Sequence, residues 1–326
     1  MELSVDPESP RLHAVPSVSV GVPVYNGERF LERTLVALQE QNLADIEVIV
    51  SDNGSTDGTL TIAEKFAQDD PRFVVLRSTE NRGVPWNWNR VLAKARAPYF
   101  MWNGADDVVR PDHLRRCRDA LDEHRDATIA FSRVLLVDVD DVPVGEMDDL
   151  GLDFVHRSPA SRVDLFLARH VYQVIGFGGL MRTNVLREMG GLPGYYGGDV
   201  ALGVKMAMRA PWIQVPEQLF VSRRHDAQTN KVQGGDVLDQ VRTYAPDWRR
   251  PVAFPQWYLN HRMIVEAAAA PASVIQRALA VGVVVRRWTV PNWRFFPFDV
   301  KRNVIRLTKG RYVGAFRPSP TSEAEL

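Results

Sequence analysis

Apolar positions in the first half of the chain alternate between two periods. Ser17 to Val24 is a β-branched run that breaks at Tyr25, and Ile46 to Val50, Phe73 to Leu76, Tyr99 to Trp102 and Ile129 to Val137 are further runs of strand length. Between them the spacing becomes helical. Phe30, Leu31, Leu35 and Leu38 form one stripe within Glu28 to Gln41, and further helices are predicted up to about Gln68, over Trp86 to Ala95 and over Asp112 to His124. Strand and helix in this alternation predict βαβ units and a mostly parallel sheet. Beyond it the order loosens. Asp138 to Ser158 is acidic and reads as a surface loop or short hairpin, Asp199 to Arg209 as a helix, Trp212 to Val221 as a strand and Trp257 to Ala269 as another helix.

Composition narrows the classes. Forty Lys and Arg balance forty Asp and Glu, so no global field draws the chain to nucleic acid. The single cysteine, Cys117, leaves neither an internal disulfide framework nor a multi-cysteine zinc site, which suits a reducing cytoplasm. Residues 1–16 are acidic and proline-punctuated and lack an apolar core, so they read as a flexible lead and not as a signal peptide. Ala278 to Val285, the longest apolar stretch, is far short of the roughly 20 residues that span a bilayer.

Two acidic stretches stand at strand ends: Ser51-Asp52-Asn53-Gly54-Ser55-Thr56-Asp57 and Gly104-Ala105-Asp106-Asp107. The carboxyl ends of parallel strands are where open α/β sheets bind nucleotides and metal ions. An ionised carboxylate only accepts hydrogen bonds and suits the N–H of a base. Adjacent carboxylates repel unless a positive charge lies between them, and Mg²⁺ or Mn²⁺ takes one or two carboxylates together with diphosphate oxygens. Each acid has an alternative use as a helix cap: Asp57 or Ser55 for the second helix, Asp106 and Asp107 for the one after Pro111, and Asp199 for the helix that it opens.

Pro23-Val24-Tyr25-Asn26-Gly27-Glu28 with Leu31, then Asp52 to Thr59, Asn81-Arg82-Gly83, and Ala105-Asp106-Asp107 with Pro111 occur in one order. Together they resemble glycosyltransferase family 2 over about residues 17–226. The resemblance implies a GT-A fold, inversion at the donor's anomeric centre and a nucleoside diphosphate sugar as donor, UDP first among the nucleotides. It implies that Asp52 accepts from the base and Asn53 bonds the ribose. Pro23, Tyr25, Asn26, Glu28, Arg82 and Gly83 line the same nucleotide site, with Tyr25 offering a stacking face. It further implies that Asp107 ligates Mn²⁺ or Mg²⁺ while Asp106 reaches the ribose or a metal-bound water. The chain departs from the pattern at Gly104, where an earlier Asp often lies. Asp199, after the glycine-rich Gly190 to Gly198, is the implied general base, although Gly198 replaces the usual Glu. His225, in Arg223-Arg224-His225, is an expected metal ligand or diphosphate contact, with Arg223 balancing phosphate charge.

The remaining chain reads as a helical, basic-aromatic extension over 227–317 and a disordered tail over 318–326. Between Arg277 and Arg317 ten Lys or Arg face one acid, Asp299, with Trp288, Trp293, Phe295, Phe296 and Phe298 among them. That mixture suits an anionic membrane surface or a solvated appendage, and places the protein in the cytoplasm or at the inner face of the cell membrane. Trp86, Trp88 and Trp102 read mainly as core, and His113 and His124 as residues of an exposed helix. The expected activity is transfer of a sugar to a hydroxyl of a glycan or lipid-linked acceptor. A catalytically inactive scaffold or glycan-binding protein on the same fold is the alternative, whereas a dinucleotide-dependent oxidoreductase lacks its G-x-G-x-x-G after the first strand.

Overall fold

The computed structural model describes residues 15–146, 154–155, 157–169, 178–225 and 237–310. Strands β1 (Val18–Val24), β2 (Ile46–Asp52) and β3 (Phe73–Leu76) lead into helices α1 (Leu31–Gln39), α2 (Thr59–Asp69) and α3 (Val84–Lys94). Then come β4 (Tyr99–Trp102), β5 (Val108–Val109), α4 (His113–Glu123), β6 (Ile129–Val137), β7 (Pro143–Glu146) and α5 (Pro159–Ala168). The core domain closes with β8 (Leu180–Arg182), α6 (Thr183–Glu188), α7 (Gly198–Arg209) and β9 (Trp212–Arg223). Among the described residues these strands form one sheet in the order β3-β2-β1-β4-β8-β6-β9-β5, with β7 paired to β6.

The expected parallel arrangement holds for β3-β2-β1-β4. The other half is mixed: β8 is antiparallel to β4 and β6, β5 is antiparallel to β9, and β6 and β9 run parallel. A three-residue strand such as β8 carries too short a pattern for its direction to be read from sequence.

Period-2 alternation distributes the core. On β4, Tyr99 and Met101 join α1, α2 and α4 on one face, while Phe100 and Trp102 join α3, α5 and α7 on the other. Gly21 lets α3 lie close on β1, because a Cβ there would stand 2.5 Å from Cγ2 of Val91 and 2.9 Å from the Phe100 ring. Trp102 is buried and its Nε1 donates to the Trp88 carbonyl at 2.9 Å, so both act as core residues. Trp86 is only half-buried, stacked by the guanidinium groups of Arg82 and Arg90.

His113 corrects the expectation of an exposed position. It lies with Leu114, Cys117 and Leu121 on the buried stripe of α4, its Nδ1 3.1 Å from the Ser132 hydroxyl and its Nε2 3.0 Å from the Gly178 carbonyl. Burial pushes its pKa down to about 4, so it is a neutral core histidine, and burial likewise raises the Cys117 thiol.

Helices α8 (Val237–Tyr244), α9 (Pro255–Ala269), α10 (Val274–Val284) and α11 (Phe295–Lys309) follow, with a π-helical turn at Val285–Thr289. Helices α9 and α10 share the core of the sheet domain: Leu259, Met263, Ala280 and Val284 belong to the same apolar cluster as Trp102 and Trp212, whereas Val237, Leu238 and Val241 of α8 form a separate small cluster with Ala253. No helix among the described residues is long and apolar enough to cross a membrane.

Candidate active site

The carboxyl ends of β1, β2 and β4 lead into three loops. Asn53 N–H still donates to Val24 O and Asn103 N–H to Gly21 O, each at 2.9 Å, and past these bonds the backbone turns away. The loops after β1 and β2 are laced together. Asn26, at φ 52°, donates its N–H to Ser55 Oγ at 2.9 Å and accepts from Thr56 N–H at 2.9 Å. Gly27 N–H donates to Thr59 Oγ1 at 2.8 Å, and Glu28 accepts from Gly58 N–H at 2.6 Å. Asp57 accepts from the N–H and the hydroxyl of Thr59, the first residue of α2, whose N-cap is Gly58, and from Glu28 N–H. These bonds to its carboxylate outweigh desolvation and hold its pKa below the ordinary value. Gly54, at φ 78°, is required because a Cβ would meet the Glu80 backbone at 2.6 Å.

Asp52 ends β2 almost fully buried, its carboxylate accepting from Gly54 N–H and Ser55 N–H at 3.3 Å. Tyr25 is half exposed at the rim, and Pro23 is buried within β1 opposite Ser51. The amide of Asn53 braces the neighbouring loop. Its Nδ2 donates to Asn81 Oδ1 and Gly83 O, and its Oδ1 accepts from Arg82 N–H at 3.0 Å. Those bonds hold the loop that carries Arg82 and Gly83 and use both Nδ2 hydrogens, with one acceptor position left on Oδ1. Arg82 is exposed and lies over the Trp86 ring at 4.5 Å. Gly83, at φ 87°, sits against Pro246 just past α8.

The second cluster stands at the end of β4. The Thr34 hydroxyl donates to the carbonyls of Ala105 and Asp107, both at 3.0 Å, which ties the acidic turn to α1. Asp106 and Asp107 converge over Gly104: a Cβ on that glycine would stand 2.9 Å from Asp106 Oδ1 and 2.8 Å from Asp107 Oδ2. Burial raises the Asp107 carboxyl to about 7, and the neighbouring charge of Asp106 adds to the rise. Asp107 Oδ1 accepts from Arg223 N–H at 3.1 Å. His225 Nε2 lies 2.8 Å from Asp106 Oδ2 with its ring 4.8 Å from that of Phe30, and its Nδ1 is buried without a hydrogen-bond partner among the described residues.

Arg223 is a correction. Its guanidinium, 1% exposed, bonds Asp106 O at 3.2 Å, Asp138 O at 3.0 Å and Asp141, so it braces the acidic turn and does not face a phosphate. The neighbouring Arg224, which sequence reasoning passed over, is the cation beside the pair. Desolvation pulls its guanidinium down, and the charges of Asp107 and Asp106 pull it back up.

A divalent cation fits these residues in part. Two converging carboxylates, one of them carrying a raised pKa, form an oxygen donor set that a cation would stabilise. An imidazole fixed by a carboxylate on one nitrogen and unused on the other is how histidine is presented to a metal. Among the described residues no three His, Cys, Asp or Glu side chains stand grouped as a complete ligand set, so diphosphate oxygens and water would have to complete the shell.

The two clusters meet at Gly27, whose Cβ position lies 3.7 Å from Ala105 Cβ. Asp199 stands apart: no hydrogen bond among the described residues joins it to either cluster. Its loop is anchored to α3 instead, through Asn89, which donates to Leu192 O and accepts from Leu192 N–H, both at 2.8 Å. Asp199 opens α7 in the first turn, where burial lifts its carboxyl to about 6 and the Val200 N–H opposes the rise. A carboxylate with that value is ionised at neutral pH yet basic enough to take a proton.

Residues 19–190 match the model of Glycosyl transferase family 2. The chain belongs to that family. It is similar to the chondroitin synthase of Escherichia coli, at 35% identity over 34% of this chain and 16% of that protein. It is also similar to an uncharacterized glycosyltransferase of Haemophilus influenzae, at 26% identity over 67% of this chain and 68% of that one. The chain spans 31%, 16% and 11% of the length of three curated relatives that it matches well. Among solved structures, Staphylococcus aureus TarS in complex with UDP-GlcNAc superposes with a TM-score of 0.63 over 90% of this chain and 76% of that one, at 17% identity. The GT-A expectation is therefore met in the fold, a mixed α/β sheet flanked by helices.

Proposed function

We propose that this family 2 glycosyltransferase moves a sugar, with inversion, from a nucleoside diphosphate donor to an acceptor hydroxyl of a glycan or lipid-linked sugar. The observation that carries the reading is the convergence of Asp106 and Asp107 over Gly104, beside a laced loop cluster that ends on Asp52. A base at Asp52 puts its diphosphate toward the Asp106–Asp107 pair. UDP is the first choice of nucleotide because the similar TarS was solved with UDP and with UDP-GlcNAc.

Asp199 takes the proton of the acceptor hydroxyl while that oxygen bonds to the anomeric carbon. The anomeric C–O bond breaks, and its electron pair leaves with the diphosphate. Displacement in one step inverts the centre and needs no enzyme nucleophile. Arg224 supplies positive charge near the departing group, and Arg223 keeps the acidic turn in place. Mn²⁺ or Mg²⁺, held by Asp107 and His225 with diphosphate oxygens and water completing its shell, would neutralise charge on the leaving diphosphate as a Lewis acid. Tyr25 and Arg82 border the base and phosphates, while Asn26, Glu28, Asn53 and Gly83 shape the loops around them.

Thermal-shift titration with UDP, GDP and dTDP, with and without Mn²⁺, tests this on the wild type and on Asp107→Asn. Ligands that bind only the folded state raise the melting temperature. A Mn²⁺-dependent rise with UDP that Asp107→Asn abolishes is the expected result. A rise indifferent to both metal and Asp107 overturns the assignment of the site.

A further inference from the structure

Helix α11 is built inside out for a protein in water. The side chains that it buries against its neighbours are polar: Asp299, Arg302 and Asn303. Asp299 Oδ2 accepts from Gln256 N–H at 2.9 Å, and Asn303 accepts from Ala253 N–H at 3.0 Å and donates to Ala253 O at 2.6 Å. The outward face carries Val300, Val304 and Leu307 at 45, 52 and 63% exposure. Spaced i, i+4 and i+7, they form one apolar stripe. The same end of the chain repeats the feature on α10, where Val274, Ile275 and Leu279 are 70, 71 and 53% exposed. Trp293, just before α11, is 60% exposed. Trp257 of α9 is half exposed and donates to Phe296 O at 3.0 Å, which carries the apolar surface across to the start of α11. Apolar exposure clustered on α11 and on Trp257 and Trp293 beside it, in contrast to single exposed residues, marks an interaction site.

Charge identifies the partner. Over residues 277–310 there are eight Lys or Arg and one acid, and that acid, Asp299, is buried. Arg286 and Arg287 are taken by Asp164, while Arg294, Lys301 and Lys309 are exposed along α11 and just before it. A second copy of the chain would set these like charges against each other. An anionic lipid surface complements them, and its acyl chains accept the aliphatic stripe while a Trp sits at the headgroup level. We propose that α11, with the exposed Trp257 and Trp293 beside it, docks the protein on the surface of an anionic phospholipid bilayer, with the α11 stripe lying in the interface and the basic side chains on headgroup phosphates. The docking does not depend on the identity of the donor or acceptor. It does bear on the acceptor's location, because α9 packs on the loop leading to Asp199. Leu259 lies against Gly197, and Tyr258 stacks edge-on with Tyr195 at 5.0 Å.

The test is flotation of the full chain with phosphatidylcholine vesicles, with and without phosphatidylglycerol, at low and high salt. The wild type is expected to float with phosphatidylglycerol vesicles and to be weakened by salt. Val304→Asp with Leu307→Asp should lose flotation, and Lys301→Glu with Lys309→Glu should weaken partitioning by at least about fivefold for each charge removed. All four positions are exposed, so melting temperature and the UDP-induced shift should stay at wild-type values, which separates this docking from the nucleotide site. Absence of flotation, equal flotation with neutral vesicles, or wild-type flotation of both double variants overturns the proposal. So does a vesicle-independent dimer that the Val304 and Leu307 changes disrupt.

Discussion

Asp199→Asn should stabilise the protein while removing its activity. The folded carboxyl sits at about 6 against an ordinary 3.8 because it is desolvated at the start of α7. An acid whose folded pKa is raised binds more protons folded than unfolded across that interval. Stability therefore falls as pH rises from about 4 through 6, and the cost is fully present at neutral pH. About two pH units at about 1.4 kcal/mol each make a cost of about 3 kcal/mol. Asparagine removes the charge and keeps an oxygen for the Val200 N–H. The melting temperature at pH 7 should then rise by about 3–6 °C, a gain that vanishes near pH 4. A general base is worth about 10²–10⁴ in rate, so kcat should fall by that factor. In the wild type, kcat at saturating donor and Mn²⁺ should fall roughly ninefold between pH 7 and pH 5, as the ionised fraction drops from about 90% to about 10%. Differential scanning fluorimetry and initial rates of diphosphate release measure both. A variant within tenfold of wild-type kcat, or a wild-type profile flat to pH 5, refutes Asp199 as the base. Lost activity without any gain in stability refutes the burial argument.

Other substitutions separate bracing from chemistry. Gly104→Ala puts a methyl group within 2.9 Å of the oxygens of both Asp106 and Asp107, so the Mn²⁺-dependent part of the UDP thermal shift should disappear with little change in the melting temperature of the free protein. Arg223→Lys cannot bond Asp106 O, Asp138 O and Asp141 at once. Urea denaturation should show a loss of about 2–4 kcal/mol. Gly203→Ala drives a Cβ to within 2.1 Å of the Phe166 ring between α7 and α5, and overpacking should cost about 1–3 kcal/mol by the same assay with UDP binding retained.

Much of the first half was legible because it is written in local patterns. Tyr99–Trp102 and Phe73–Leu76 are strands as their runs predict, and α4 begins one residue inside its predicted start. Asp52, Asp106 and Asp107 stand out from sequence because each follows a buried strand, and strand ends at one sheet edge must open toward one another. His113 was legible too, since its spacing to Cys117 and Leu121 is that of a buried stripe, but a polar residue type outweighed the period. Other assignments depend on partners distant in the chain. Asn53 becomes a brace only through Asn81 and Gly83, and Arg223 turns inward because Asp138 and Asp141 of the β6–β7 turn are there to receive it. The direction of β8 and the inversion of α11 are likewise invisible locally. A three-residue run has no orientation of its own, and which face of an amphipathic helix meets the protein is decided by the polar groups at Ala253 and Gln256 that it must satisfy. Composition and periodicity thus determined the elements and the acids at their ends. Tertiary structure decided which of those side chains remain available to a ligand, because availability depends on neighbours that the chain brings together only on folding.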